Sequence, residues 1–496
     1  MALDPRTPVI IGTGQILQRS DALDSSGSNV MDPVAMMVEA IQSATRDAGL
    51  SQVPSPDAIR VVGLLSWNYG NPAHFIAQDL GLSPRELGLS GMGGNTPQTL
   101  VNKAASEIQK GQADCIILTG GETTRTRAKV KKAGIDLNWR KTDIAPTMVS
   151  EEMEMVHPIE FERKIYMPIQ VYPMFETALR AQAKRSVADH QVHISKLWSR
   201  FSEVAANNPF AWSRQARSAE EIRTVTPTNR MVGFPYPKLM NSNNDVDMSA
   251  ALILCSVEKA TALGVPRDRW VFPHSGTDTH EHNFVSNRHH FYKTPAIEIG
   301  GNRALQLAGV SMSDISIVDL YSCFPSAVQL GAASLGLNIE SQLTRTGGLP
   351  FAGGPWNNYV MHAIATVVND LREQPSERAF VWANGGYTTK HAFGVYATEP
   401  PKNGFAFAYP QDEVDALPRR EVASASEAVG NATIEAYSVM HHRDGHPEIA
   451  HISCLLADGR RAWGESTDSN MMSSMCENEW VGTEITLDSS GVAHAK

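Results

Sequence analysis

Cysteine is scarce in this sequence of 496 residues: five are present, Cys115, Cys255, Cys323, Cys454 and Cys476, and none stands in CxxC spacing. That scatter argues against a zinc site and for reduced thiols in a cytoplasm, and no metal site is expected. Long apolar runs are missing too, as is the charged and then apolar start of a secretory leader, so no membrane span is expected. Nor is there a basic excess. With 43 Lys and Arg against 53 Asp and Glu, the formal net charge is −10, which speaks against general attraction to nucleic acid or anionic membrane. Such a length leaves room for a large core and for two or more domains.

Paired glycines organise what is there. Ser90-Gly91-Met92-Gly93-Gly94-Asn95-Thr96-Pro97 forms a glycine-rich turn that opens a helix. Pro97 suits a first helical turn, and Val101, Ala104, Ala105 and Ile108 give that helix an apolar face. Then come a buried strand, Cys115–Leu118, and the pair Gly120-Gly121. The same order returns later. Gly353-Gly354-Pro355 leads into Val360, Ala363, Ile364 and Val367, then the strand Ala379–Trp382, then Asn384-Gly385-Gly386. Two copies of one unit predict a duplication with a central site between the copies. A helix start aimed by glycines offers unpaired N–H groups and a positive dipole end, suited to an oxyanion, a thiolate or a phosphate.

The rest of the chain fits around these copies. Pro8–Gly14 reads as a strand ending in a glycine turn, but its GxG lacks the remainder of a dinucleotide fingerprint. Strand and helix alternate up to Gly121, which predicts a parallel, covered sheet. Residues 123–244 break the rhythm and read as an insertion folding over the end of the sheet. Its basic start (Arg125, Arg127, Lys129, Lys131, Lys132) could meet phosphates or be a solvated loop, and Thr177–Ala205 reads as one helical run. Ala250–Leu254 returns to the sheet, and Trp270–Phe272 is a further strand. Beyond a linker near Pro400–Asn403, the hairpin turns Asp444-Gly445 and Asp458-Gly459 mark a small antiparallel, barrel-like β domain.

Two similar halves, a long insertion and a glycine-flanked helix in each half together resemble the thiolase superfamily over roughly residues 5–398. The most specific segments are Ile108–Asp114, Thr119–Glu122 and Asp247–Leu252. The added β domain resembles that of thiolase-like proteins labelled acetyl-CoA acetyltransferases, some of sterol-carrier type. The resemblance implies an α/β, five-layered α/β/α/β/α duplicated core acting on acyl-CoA thioesters. Its parts are then 1–122 (N-terminal half), 123–244 (insertion), 245–275 (return strands), 276–400 (C-terminal half) and 404–496 (added β-rich domain, OB-like). A monomer or dimer is expected, with a CoA thioester as substrate or ligand and no other cofactor.

The family's catalytic positions are where this sequence departs. By resemblance the nucleophilic cysteine falls at Gly94, and the histidine of Gly-His-Pro falls at Gly354. The Asn-Glu-Ala-Phe segment reads Tyr321-Ser322-Cys323-Phe324, and the second cysteine aligns near Ala383. Thiolase chemistry needs an activated thiolate and a second acid/base, and neither stands in place. The remaining catalytic candidates are Cys323, Tyr321 and His391, and Gly94, Gly354, Gly385 and Gly386 are the substrate-binding ones. Each candidate side chain has a plain packing role as its alternative. Two functions therefore stay open: weak or altered acyltransferase chemistry on acyl-CoA, or non-catalytic binding of an acyl-CoA or a partner.

Overall fold

The computed structural model describes residues 3–19 and 29–496. Two mixed sheets follow one plan. In the first, Pro8–Leu17, Asp247–Ser256, Cys115–Thr123 and Ala58–Val61 stand side by side in that order, extended by Glu86–Leu89 and Thr147–Met148. In the second, Phe272–His280, Lys390–Ala397, Arg378–Gly385 and Ile317–Leu320 repeat the order. Both run antiparallel, antiparallel, parallel through those three pairings. The halves are a duplication, as the repeated glycine-pair units predict.

The helices Thr96–Gln109 and Tyr359–Glu373 lie between the sheets, touch both, and pack on each other. Leu100, Val101, Ala104, Ala105 and Ile108 of the first are fully buried, so its apolar face is spent in the core. Pro33–Asp47 covers the outer face of the first sheet and Pro295–Ala308 that of the second, which completes five layers. A Cβ on Gly12 or Gly14 would strike the carbonyls of Ala44 or Ala40. These glycines therefore let a helix lie directly on the first strand, and the GxG is a packing device.

Several element boundaries differ from the sequence reading. The run Thr177–Ala205 is two helices, Pro168–Gln182 and Val187–Asn207, because Ser186 caps the second by accepting from the Asp189 N–H. The basic stretch after Thr123 is a helix, Thr124–Ala133, that Gly134 closes in the left-handed region. The strand read as ending at Phe272 instead starts there and runs to His280.

Past Ala397 the chain first adds a parallel strand, Ala406–Ala408, to the second sheet. The additional antiparallel sheet then runs Arg461–Ser466, Pro447–Leu456, Gly430–His441, Glu484–Leu487, Ala493–Ala495. It curls until Glu465 bridges Val492. One edge of Gly430–His441 is shared: Gly430–Thr433 pairs with Glu484–Leu487, while Val439 and Met440 pair with Phe234 and Gly233 of the insertion. The insertion thus completes the sheet of the added region.

Candidate active site

The starts of the two central helices are tied together. Asn357 accepts the Gly93 N–H at 3.0 Å and donates to the Gly63 carbonyl at 2.7 Å, and Asn358 donates to the Gly120 carbonyl at 2.7 Å. Just before them, Trp356 is held at φ +46, and its indole donates to Thr124 Oγ1 at 3.2 Å. A non-glycine residue held there is strained, and such residues gather at functional sites. Behind the glycine turn, buried Lys390 donates to the Met92 carbonyl, and burial lowers its pKa.

In front of that turn lies a cavity of about 320 Å³. Gly94, Tyr321, Cys323, Asn384, Gly385 and Gly386 form its floor and sides, and Met155, Met167, Ile169 and Tyr172 reach over it from the insertion. Among the described residues, no Asp, Glu, His, Lys or Arg lines the cavity. Its chemistry is that of amides, phenols, the Ser242 hydroxyl, the Trp356 indole, a thiol and apolar walls.

Five of the seven sequence-derived candidates meet here. Gly94 has no room for a side chain: a Cβ would stand 2.5 Å from the Tyr321 hydroxyl and 2.5 Å from the Asn384 carbonyl oxygen. Tyr321 is buried and packs edge-on to Tyr359 at 5.6 Å, and burial lifts its pKa well above the usual phenol value. Burial likewise pushes the Cys323 thiol up to about 12, against the smaller opposing effect of the Tyr172 hydroxyl. Both groups stay protonated near neutral pH. Gly385 and Gly386 also line the cavity, and the Gly386 carbonyl accepts from Tyr172 at 3.0 Å.

The other two candidates lie outside the lining. Gly354 abuts it, its N–H donating to the Asn243 carbonyl at 2.8 Å beside Asn244 and Leu349 of the wall. His391 sits deeper. It pairs across strands with Asn384, accepts the Trp382 indole N–H on Nδ1 at 3.2 Å, and has no partner for Nε2 among the described residues. Burial, with Arg288 and His280 adding to it, pushes its pKa well below the usual value, so it is a neutral imidazole.

The residue that sequence reasoning missed is Tyr172. Its hydroxyl accepts from Asn384 Nδ2 at 3.0 Å and from the Thr388 N–H at 3.1 Å, and its ring stacks on Phe324 at 4.5 Å. It joins the insertion to the last glycine pair of the second half. Tyr172 appears in the sequence only as part of a Tyr-Pro-Met-Phe patch, with no spacing to mark it. Asn384, beside Gly385, was within reach of the glycine-pair argument.

A duplicated five-layered core with paired central helices and this cavity at their starts defines the thiolase fold. The chain belongs to the thiolase superfamily, among its SCP2-thiolase-like proteins of type 1 with an added C-terminal domain. The family described as thiolase-like protein type 1 additional C-terminal domain matches residues 410–492. A monomeric SCP2-thiolase-like protein type 1 from Mycobacterium smegmatis is 31% identical over 100% of both chains, with a TM-score of 0.84. Human mitochondrial 3-ketoacyl-CoA thiolase, solved in complex with CoA, shares the fold at 14% identity and TM-score 0.57, over 79% of this chain and 98% of its own. An Ltp2–ChsH2(DUF35) aldolase does so at 17% identity and TM-score 0.59, over 79% of this chain and 98% of its own. No curated protein matches the sequence. Among the described residues, no helix is long and apolar enough to cross a membrane.

Proposed function

We propose that the central cavity binds an acyl-CoA thioester in the cytoplasm and that the chain does not carry out thiolase-type acyl transfer. The observation that carries this reading is the Tyr321 hydroxyl beside Gly94, in the space that a nucleophile's side chain would need. The lining supports it further. A general base works best with a pKa near the operating pH, and the cavity's Tyr172, Tyr321 and Cys323 are all displaced upward by burial. What remains is a small set of neutral hydrogen-bond donors, the Asn384 amide and the Tyr321 hydroxyl, able to hold a thioester carbonyl. The fold relative solved with CoA supports the choice of ligand.

Altered acyl transfer is the second reading, and the placement of Cys323 on the cavity wall favours it. A shared experiment separates the two. Intact mass is measured after incubation with acetyl-CoA and longer acyl-CoAs, alongside a binding titration. Saturable binding with unchanged mass is the expected result. An acyl adduct on Cys323 supports the second reading, and absence of binding removes both.

A further inference from the structure

A second groove, of about 630 Å³, lies between the insertion and the C-terminal half and shares no wall residue with the central cavity. Its walls are the end of helix Pro168–Gln182, the helix Pro325–Ser334 with the loop after it, and the approach to helix Pro295–Ala308. The floor is apolar, with Leu179, Leu330, Leu337 and Ile339. Two cations, Arg185 and Lys293, stand over it against one carboxylate, Glu298.

Arg185 is the telling residue. It is half-buried, and among the described residues its guanidinium makes no ion pair and no hydrogen bond. The preceding Lys184 is held at φ +52, at the turn between two helices, and that turn carries Arg185 to the groove wall. Burial, helped by Arg185 and His190, lowers the pKa of neighbouring His193, so the positive charge there rests with Arg185 and Lys293. The Arg185 guanidinium nitrogens stay accessible and unpaired, and a bidentate carboxylate or phosphate is the partner that satisfies such a group best. An apolar floor beneath two cations suits a ligand with an apolar body and an anionic end.

We infer that this groove is a second binding site, for a small amphipathic organic anion whose carboxylate or phosphate meets Arg185 and Lys293 while its apolar part lies on Leu179 and Leu337. The probe is octanoate, compared by titration calorimetry with octyl phosphate, 1-octanol and octylammonium on the full chain. Octanoate or octyl phosphate is expected to bind more tightly than the alcohol or the amine, and whichever anion binds better identifies the head group. The double variant Arg185→Ala/Lys293→Ala is expected to lose about tenfold in anion affinity, in line with a charge-assisted hydrogen bond, and to keep its weak affinity for 1-octanol. Ala333 is exposed on the groove wall, so Ala333→Trp fills the groove without disturbing the core and should abolish anion binding. The inference fails if neither anion binds, if octylammonium binds as well as octanoate, or if anion affinity survives Ala333→Trp. That last variant decides the matter alone should the double variant not fold.

Discussion

The Tyr321 hydroxyl stands 2.5 Å from where a Cβ on Gly94 would be. This phenol therefore takes the space that a side chain at Gly94 would need. Gly94→Cys is expected to destabilise the fold by about 1–3 kcal/mol through overpacking. Tyr321→Ala in the same chain should recover part of that loss, but not all, because the Asn384 carbonyl is equally close. Urea unfolding of both single variants and the double variant measures the coupling. A Gly94→Cys protein as stable as wild type would falsify this account of the cavity floor.

Cys323 offers a second test. With its thiol pushed up to about 12, the thiolate fraction at pH 8 is on the order of one in ten thousand. Alkylation of native protein by iodoacetamide should be slower at Cys323 than at an exposed thiol by at least about a thousandfold, and unfolding should abolish the difference. Peptide mass spectrometry over time reads the rates. Prompt native labelling of Cys323 would revive a nucleophilic role.

Much of the fold was legible because it rests on local patterns that repeat. Gly93-Gly94 with Pro97, and Gly353-Gly354 with Pro355, mark the two central helices, and the continuous apolar strands after them allow only a covered sheet. That Gly94 opens a helix in a glycine-rich turn was also legible. What stands beside it was not, since Tyr321 lies far along the chain and nothing in its neighbours tells which way the ring turns. Tyr172 was hidden for the same reason, its partners Asn384 and Thr388 lying more than two hundred residues away. His391 looked promising through its glycine pair, yet its strand sets it beside Trp382 and away from the cavity lining. Pattern reading finds elements. Contacts between distant loops need the fold.

Tyr172→Phe tests the bridge between insertion and core. The change keeps the ring stacked on Phe324 but removes a hydroxyl that accepts from Asn384 and Thr388 and donates to Gly386. Leaving buried partners unsatisfied costs about 1–3 kcal/mol, and Thr388, held at φ +55, loses the bond that helps fix it. Expected outcomes are a lower melting temperature and a weaker central-cavity ligand, both from one oxygen atom. An unchanged melting temperature would count against the bridge.

His362 sets a pH dependence. It is fully enclosed, bonded through Nδ1 to Gln15 Oε1 at 2.9 Å, and burial lowers its pKa to about 3. The unfolded chain takes up this proton first. Its contribution to stability is thus complete above about pH 6.5 and falls by about 1.4 kcal/mol per pH unit as pH drops toward 3. Buried Glu122, Asp278 and Asp319, raised by burial to about 7, act in the opposite sense, their contribution fading as pH rises from about 4 to 7. The two sets offset each other in the whole protein. His391 and His451, also lowered by burial, act with His362, and His362→Gln removes its share alone, so the variant should lose about 2 kcal/mol less than wild type between pH 7 and pH 5. Denaturant unfolding at both pH values gives the difference, and equal losses would contradict the assignment.

The last prediction concerns how firmly the added region is fixed to the core. Arg461 is fully buried. It pairs with Glu435 and donates to the carbonyls of Val285, Ser286 and Arg288, three main-chain groups of the C-terminal half. Beside it the Trp463 indole donates to Ser286 Oγ at 2.8 Å, and Ser286 in turn donates to buried Glu160 of the insertion at 2.6 Å. Met231–Phe234 of the insertion pairs with Gly430–His441 of the additional sheet, and Ala406–Ala408 finishes the second core sheet. Ending the chain after Pro400 would strip all of these at once, leaving buried carbonyls without donors and Gly233 and Phe234 without their pairing to the added sheet. Such a truncated chain is expected to be insoluble or to melt far below the full protein. Arg461→Ala, which breaks only the central pairing, should cost about 3–5 kcal/mol, as removal of one member of a buried ion pair does. Glu435→Gln, which keeps one acceptor, should cost less. A truncated chain that melts cooperatively near the wild-type temperature would show that the core stands alone and that Arg461 merely holds a separate domain against it.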